Sequence, residues 1–328
     1  MRKIIGSVAA GSVILALALT GCARTGGNST AQATASFPSG KPIEVIVPYD
    51  AGGFTDVLAR IVAEGMSNEL GSPVQVINKP GAGGTVGLSQ LAAEKADGLT
   101  IGTLNMPSAL AYLDKSKNLT YTTASFKGIA GLATSPTVVA VRADSPWKTF
   151  EDLVAAAKAS PGHITLAGGT NVTSDDALTV AALEKNGVDF NVVTIDTGGA
   201  DKTTQLLGGQ IQVTVGSLGA VKTGLESKQI RLLAVASEDK SPLIPDVPTL
   251  KTLGFDIVTS GNVTLAAPAG TPQEYVDILS RSAEAAAKDP DLVKTANAAG
   301  YDILFRDAAE TTKYWEDQES AAAEILGK

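Results

Sequence analysis

The chain has one cysteine and one histidine among its 328 residues. A single cysteine, Cys22, excludes a disulfide within the chain. One histidine, His163, with no second cysteine also excludes a metal site built from several His or Cys ligands. No Gly-x-Ser-x-Gly segment marks a nucleophilic serine, and His163 follows Pro161-Gly162 in a predicted surface turn. We therefore expect no enzyme activity, no metal and no cofactor.

Aromatic residues and positive charge are also scarce. Phe, Trp and Tyr make up 5% of the residues, which argues against a cleft that stacks sugars. The formal net charge is −8, and an acidic surface is unfavourable for binding nucleic acids or anionic lipids. An anionic ligand would not be attracted from a distance, so local groups would have to hold it.

The N-terminus has the parts of a secretion signal. Arg2-Lys3 form a basic start, and the apolar run 4–19 is too short to cross a bilayer comfortably. Leu19-Thr20-Gly21-Cys22 resembles a bacterial lipobox, whose cysteine is acylated. We predict a signal peptide over 1–21, lipidation of Cys22 and a flexible tether over 22–40. This places the protein outside the cytoplasm, anchored at the outer face of the cytoplasmic membrane. A plain secretory signal and an uncleaved anchor are the alternatives.

Short apolar segments alternate with segments of helical periodicity after residue 41. Strands are predicted, among others, at Ile43–Val47 and Ile164–Ala167, and helices at Asp56–Leu70 and Ser174–Lys185. The alternation predicts an α/β fold with two doubly wound domains. No long linker interrupts the chain, so we expect short strands to cross between the domains. The predicted domains are 41–137 with 238–328, and 138–237, with Thr137–Val141 and Leu232–Ala236 as the crossing strands.

Four glycine-containing turns each join a predicted strand to a predicted helix. Such a turn leaves peptide N–H groups unpaired at the positive end of a helix, where they can bind an anion. For any one turn, a tight connection without a ligand is the alternative. Ligands of open α/β sheets lie outside the carboxyl ends of the strands, so the recurrence predicts a cleft between two domains. The turns are 48–56, 78–85, 168–174 and 196–200.

Three other features are weaker. Residues 81–87 have the spacing Gly-x-Gly-x-x-x-Gly, which differs from the dinucleotide fingerprint. Lys202 lies in a segment that is similar to the end of a phosphate loop, but no glycine directly precedes it, as that motif requires. We therefore expect Lys202 to be a solvated residue on a helix. Asp175 and Asp176 are adjacent, so on a helix their side chains diverge by about 100°. We interpret them as acids of a first turn, favoured by the helix dipole.

A series of motifs in fixed order makes the chain similar to one family. It resembles the Bug family, the extracytoplasmic solute receptors of tripartite tricarboxylate transporters, over about residues 41–328. The matching segments are Lys41–Ile43, Val47–Tyr49, Gly52–Asp56, Ala59-Arg60, Leu70–Val74, Asn78–Gly84, Ala96–Gly98, Leu206–Ile211, Ile230–Val235, Pro245–Thr249 and Ala266–Pro272.

The resemblance implies a two-lobed, type II periplasmic-binding fold that closes over a small carboxylate-bearing solute. It also implies delivery of that solute to membrane permease subunits, and we expect a monomer. A sensory receptor that signals to a membrane sensor protein is the alternative, followed by an extracytoplasmic enzyme.

The same resemblance implies a set of ligand-binding residues. Three positions depart from the family pattern: Asp50, Asp196 and Asp201. Carboxylates that face an anionic ligand would repel it or require a cation, so an amino-bearing acid is a hypothesis for the ligand. The implied binding residues are Tyr49, Gly52, Gly53, Phe54, Thr55, Asp56 and Gly83 in the first lobe and Gly169, Thr170, Asn171, Thr173 and Asp196 in the second.

Overall fold

The computed structural model describes residues 37–168, 172–195 and 199–327, and these form two β-sheets covered by helices. The strands are β1 Ile43–Val47, β2 Val74–Asn78, β3 Thr100–Met106, β4 Phe126–Ser135, β5 Thr137–Arg142, β6 Thr165–Gly168, β7 Asn191–Thr194, β8 Val213–Ser217, β9 Ile230–Val235, β10 Gly261–Pro268 and β11 Asp302–Arg306. The α-helices are α1 Phe54–Leu70, α2 Thr85–Ala93, α3 Phe150–Ala159, α4 Asp175–Lys185, α5 Gly199–Leu207, α6 Leu218–Glu226, α7 Gln273–Ala287, α8 Pro290–Ala298 and α9 Ala308–Leu326.

The first sheet has the strand order β11-β4-β10-β3-β1-β2. β1 is parallel to β2 and β3, whereas β10 is antiparallel to β3 and β4. All residues of β1 except Glu44 are buried, as expected for a parallel strand covered on both faces. Helices α1 and α7 pack so closely that a Cβ on Gly65 would lie 2.6 Å from the Cβ of Ala286. This sheet with its helices is the first lobe.

The second sheet has the order β7-β6-β8-β5-β9. β6 is parallel to β7 and β8, and β5 is antiparallel to β8 and β9. Its core contains Phe150, Leu166 and Leu183, each buried to at least 99%. This sheet with its helices is the second lobe. The α/β class and the two-lobed arrangement predicted from the sequence are confirmed.

The crossings between the sheets differ from the prediction. β5 and β9, which cover the two expected crossing strands, pair side by side within the second sheet, with Val138 opposite Val235. The first crossing is instead at Pro136, between β4 and β5. Because β5 pairs with both β8 and β9, all of Thr137–Arg142 lies within the second sheet.

The return to the first sheet comes later than residue 238. Leu250 and Ile257 pack into the core of the second sheet, so the segment after β9 still belongs to that lobe. The chain crosses at 259–261, where the N–H groups of Thr259 and Ser260 donate to the carbonyl of Ala236 at 3.0 and 3.1 Å. The N–H of Ala236 donates to the carbonyl of Thr137 at 2.7 Å, and the N–H of Thr137 donates to Oγ of Ser260 at 3.5 Å, so the two crossings lie side by side.

Helix α9 contacts both lobes. Its buried Trp315 shares a core with Leu178 of α4 and donates from Nε1 to Oγ1 of Thr264 in β10 at 3.1 Å. Near its end, the carbonyl of Glu324 accepts a hydrogen bond from Nζ of Lys185 at 2.5 Å.

Candidate ligand-binding site

Asp56 organises the turn between β1 and α1. Its buried carboxylate accepts hydrogen bonds from the N–H of Gly52 at 2.8 Å, Nδ2 of Asn78 at 2.9 Å and Nε of Arg60 at 3.0 Å. Gly52 has a φ of +80°, a left-handed conformation that favours glycine. Both carboxylate oxygens thus accept hydrogen bonds from within the protein, and Asp56 holds the turn in place.

The same contacts keep Asp56 ionised. The hydrogen bond from Arg60 lowers the pKa of the Asp56 carboxyl to about 2, and those from Gly52 and Asn78 act in the same direction against the effect of burial. A fixed negative charge at this point therefore persists through the physiological pH range.

Thr55 lies in the first turn of α1, where backbone N–H groups have no partner within the helix. Gly53, at the N-cap, provides no side-chain hydrogen bond to them. The hydroxyl of the buried Thr55 accepts a hydrogen bond from Nδ2 of Asn105 at 2.8 Å. The buried Oδ1 of Asn105 accepts no hydrogen bond from the described part of the chain. The end of β3 therefore adds an acceptor beside the start of α1, and sequence reasoning missed Asn105.

Tyr49 and Gly83 belong to neighbouring turns of the first lobe. Residues 81–84 all have positive φ: Gly81 +141°, Ala82 +47°, Gly83 +67° and Gly84 +98°. A Cβ on Gly84 would lie 3.2 Å from the hydroxyl of Tyr49, whereas a Cβ on Gly83 would meet nothing within 4 Å. Glycine at 84 lets the Tyr49 ring pack against the turn, while the space beside Gly83 stays open.

Asp175 and Asp176 point in different directions, as predicted. Oδ2 of Asp175 accepts a hydrogen bond from Oγ1 of Thr137 at 2.7 Å, at the first crossing between the lobes. Asp176 forms a buried ion pair with Lys202, and the two residues are 6% and 9% exposed. The interpretation of Lys202 as a solvated residue is therefore wrong, because its ammonium group neutralises Asp176 in the interior.

Asp175 lies close to tyrosines of the first lobe. Burial raises the pKa of Tyr49, Tyr301 and Tyr314, and the negative charge of Asp175 raises each pKa further. Burial raises the pKa of Asp175 itself to about 6, the charge of Asp176 adds to that rise, and the hydrogen bond from Thr137 opposes it.

A cavity of about 160 Å³ lies in the second lobe where three helices begin. It is lined by Asp175 of α4, by Gly199 and Lys202 of α5, and by Ser217, which lies at the N-cap position of α6 without a capping hydrogen bond from its side chain. This is the carboxyl-end edge of β6, β7 and β8, the location expected for a ligand in an α/β sheet. Sequence reasoning placed two turns here but missed Asp175 and Ser217, although Asp175 directly follows the turn 168–174.

Several predicted site residues lie outside the described residues. These are Gly169, Thr170, Asn171, Asp196 and the lipidation site Cys22, and of Phe54 only the backbone is described. Thr173 is described and is completely buried, while Asp50 is exposed beside the turn that Asp56 orders.

The family model of the tripartite tricarboxylate transporter family receptor, TctC, matches residues 58–328. The chain belongs to the TctC receptor family. The UPF0065 protein in the gbd 5' region of Cupriavidus necator is 36% identical over 256 residues, which are 76% of this chain and 75% of that protein. A TctC solute-binding protein from Polaromonas, solved without ligand, is 30% identical, with a TM-score of 0.78 over 89% of this chain and 99% of that one. Rpa4515 of R. palustris, solved with adipate, shares the fold at 24% identity, with a TM-score of 0.75 over 89% of this chain and 98% of the other.

The resemblance to the Bug family is thereby confirmed. The TctC receptor family consists of extracytoplasmic solute-binding proteins that serve tripartite transporters, and the chain is one of these receptors. Among the described residues, no helix has the length and apolar character that crossing a membrane requires. The same residues contain no group of three or more His, Cys, Asp or Glu side chains arranged to hold a metal ion.

Proposed function

We propose that this receptor captures a small carboxylate-bearing solute between its two lobes and delivers it to the membrane subunits of a tripartite tricarboxylate-type transporter. The first-lobe contacts would come from the start of α1 and the turn 81–84. The second-lobe contacts would come from the edge where α4, α5 and α6 begin.

The observation that carries the proposal is the arrangement around Thr55. The Asp56 carboxylate holds the preceding turn by its hydrogen bond to Gly52, so the first-turn N–H groups of α1 are fixed before any ligand arrives. Asn105 holds the Thr55 hydroxyl beside them. Fixed donors of this kind favour a carboxylate without a reorganisation cost on binding.

The strength of such a site follows from a few hydrogen bonds. Each hydrogen bond to a charged group contributes roughly 1.5–3 kcal/mol, and micromolar affinity corresponds to about −8 kcal/mol. Arg60, the cation nearest the turn, is committed to Asp56. Backbone N–H groups and hydroxyls would therefore provide the binding energy.

Capture would proceed by closure about the two adjacent crossings at Pro136 and 259–261. A solute that bridges both lobes stabilises the closed arrangement, because only that arrangement makes both sets of contacts. Thr137, next to the first crossing, already bonds to Asp175 at the edge of the second lobe, which links the hinge to the site.

The proposal includes a lipid anchor at Cys22. Its support is the lipobox sequence Leu19-Thr20-Gly21-Cys22 and the position of the chain's single cysteine within it. An anchor would keep the receptor close to its transporter, and two or more acyl chains are needed for stable attachment.

Substitution of Thr55 tests the proposed site. A thermal-shift screen with dicarboxylates, including adipate, tricarboxylates, amino acids and aromatic acids first identifies a ligand, since binding to the native state raises Tm. We expect Thr55→Ala to weaken binding of that ligand by about 10-fold, the cost of roughly one hydrogen bond. Because Nδ2 of Asn105 also loses its acceptor, the free energy of unfolding of the free protein should fall by about 1 kcal/mol.

The matched control is Thr312→Ala, because Thr312 is exposed on α9 and its hydroxyl bonds only to the carbonyl of Ala308 in its own helix. This variant should bind like the wild type. Wild-type affinity in Thr55→Ala would place the ligand elsewhere.

A further inference from the structure

The polar groups left unpaired around the cleft suggest which kind of solute it accepts. We propose that Asp175 makes the receptor prefer a solute with an ammonium group beside its carboxylate, such as an amino acid, over a plain dicarboxylate. This inference rests on the proposed function and assigns to Asp175 the selectivity that the sequence alone had suggested for Asp50 and Asp196.

The cations near the two lobes are already paired. Lys202 is committed to Asp176, and Arg60 is committed to Asp56. Arg306 stacks on the ring of Tyr314, with Cζ 4.4 Å from its centroid. Among the described residues, none of these cations pairs with Asp175, whose carboxylate accepts hydrogen bonds only from neutral groups: the Thr137 hydroxyl and the backbone N–H groups of Asp175 and Asp176. A cationic group on the solute would supply the missing positive charge.

The first lobe contains a hydrogen-bond acceptor without a donor. The buried Oδ1 of Asn105 has no donor within the described part of the chain. An ammonium group brings three donors, whereas a second carboxylate brings only acceptors. The unpaired Oδ1 of Asn105 therefore favours a donor-bearing solute.

The pH dependence of binding follows from the groups that face Asp175. They are Asp176 on the same helix, Tyr49 before α1, Tyr301 before β11 and Tyr314 on α9. The pKa values of the three tyrosines are raised, so these hydroxyls stay neutral from pH 5 to 8, and Asp176 is paired with Lys202. The pKa of Asp175 is raised to about 6, which lies within this range. Affinity for an ammonium-bearing solute should fall as pH drops below about 6, and affinity for a plain dicarboxylate should rise.

The experiment compares acids that differ only in the amino group: aspartate with succinate, and glutamate with glutarate. Calorimetric titration of the wild-type protein at pH 7.5 should give at least about 10-fold tighter binding of the amino member of a pair. Asp175→Asn should reduce that preference by about 10-fold or more. Glu151→Gln is the matched control, since it removes one negative charge from the exposed first turn of α3 and should keep the preference.

Each outcome decides the inference. The inference is wrong if Asp175→Asn and the wild type have the same preference for the amino member of a pair, or if the wild type binds the acid without the amino group more tightly. Either result would still leave the proposed carboxylate receptor in place. Binding of neither member of any tested pair, nor of any other acid, would overturn the proposed function as well. If Asp175→Asn does not fold, the wild-type pH profile decides, because amino-acid affinity that is constant from pH 7.5 to 5 also contradicts the inference.

Discussion

Replacing Asp56 by asparagine tests the idea that this residue holds the binding turn in place. The pKa of Asp56 is held at about 2, against an ordinary value near 3.9, and a difference of this size corresponds to about 2.5 kcal/mol of stability at neutral pH. The side chain of Arg60 is 50% exposed, so solvent screens part of this interaction. We therefore expect Asp56→Asn to lower the free energy of unfolding by about 1–2 kcal/mol at pH 7.

The sign of the pH effect follows from the lowered pKa. The stabilisation is complete above the unfolded-state pKa and is lost as pH falls towards 2, so about half of it is gone at pH 3. Urea unfolding followed by circular dichroism at pH 7 and pH 3 measures both effects. The difference between Asp56→Asn and the wild type should shrink by about half at pH 3.

The control is Glu64→Gln, which removes an exposed carboxylate from the same helix. Equal stability of the two variants at pH 7 would contradict the role assigned to Asp56. So would a difference between Asp56→Asn and the wild type that is the same at both pH values.

Two further predictions concern Lys202 and Cys22. Lys202→Met leaves the carboxylate of Asp176 buried without its partner and should lower the free energy of unfolding by about 3 kcal/mol, whereas the double variant Asp176→Leu/Lys202→Met should recover most of that loss. Urea unfolding measures both changes, and a Lys202→Met variant as stable as the wild type would contradict the buried ion pair. Mass spectrometry of the protein from its native membrane should show Cys22 as the first residue carrying a diacylglyceryl group, and an unmodified Cys22 would refute the lipid anchor.

The elements that could be predicted from the sequence are those whose local pattern of apolar residues matches their burial in the folded protein. The apolar run Ile43–Val47 forms β1 with the predicted bounds, and the predicted helix Asp56–Leu70 forms α1, which begins two residues earlier, at Phe54. In both, the periodicity of apolar residues matches the burial that the lobe provides.

Strands made of small residues could not be predicted in this way. β4 reads Phe-Lys-Gly-Ile-Ala-Gly-Leu-Ala-Thr-Ser, and Gly and Ala have low strand propensity. The reason for glycine is tertiary: a Cβ on Gly128 would lie 2.9 Å from Oγ1 of Thr312, because α9 packs directly on the strand. Partner strands on both sides, β10 and β11, fix β4 as a strand.

In the candidate site, too, local features could be predicted and tertiary contacts could not. The glycine turns of the first lobe could be located from sequence, since each lies directly between an apolar run and a helical pattern. The partners of individual side chains could not. Asp175 and Asp176 are neighbours in sequence, yet one bonds to Thr137 at the hinge and the other pairs with Lys202, 26 residues away. Only the tertiary bonds of α4, from Thr137 of β5 to Asp175 and from Lys202 of α5 to Asp176, decide which acid faces the cleft.

A crystal structure of the receptor with its solute would test the central claim most directly. The account predicts a solute carboxylate within about 3.2 Å of the first-turn N–H groups of α1 and the Thr55 hydroxyl, with the rest of the solute reaching the edge of the second lobe at Asp175. One result would contradict this claim: a solute bound in the cavity of about 680 Å³ that is lined by Ser237, Asp302 and Tyr314, with no ligand at the start of α1.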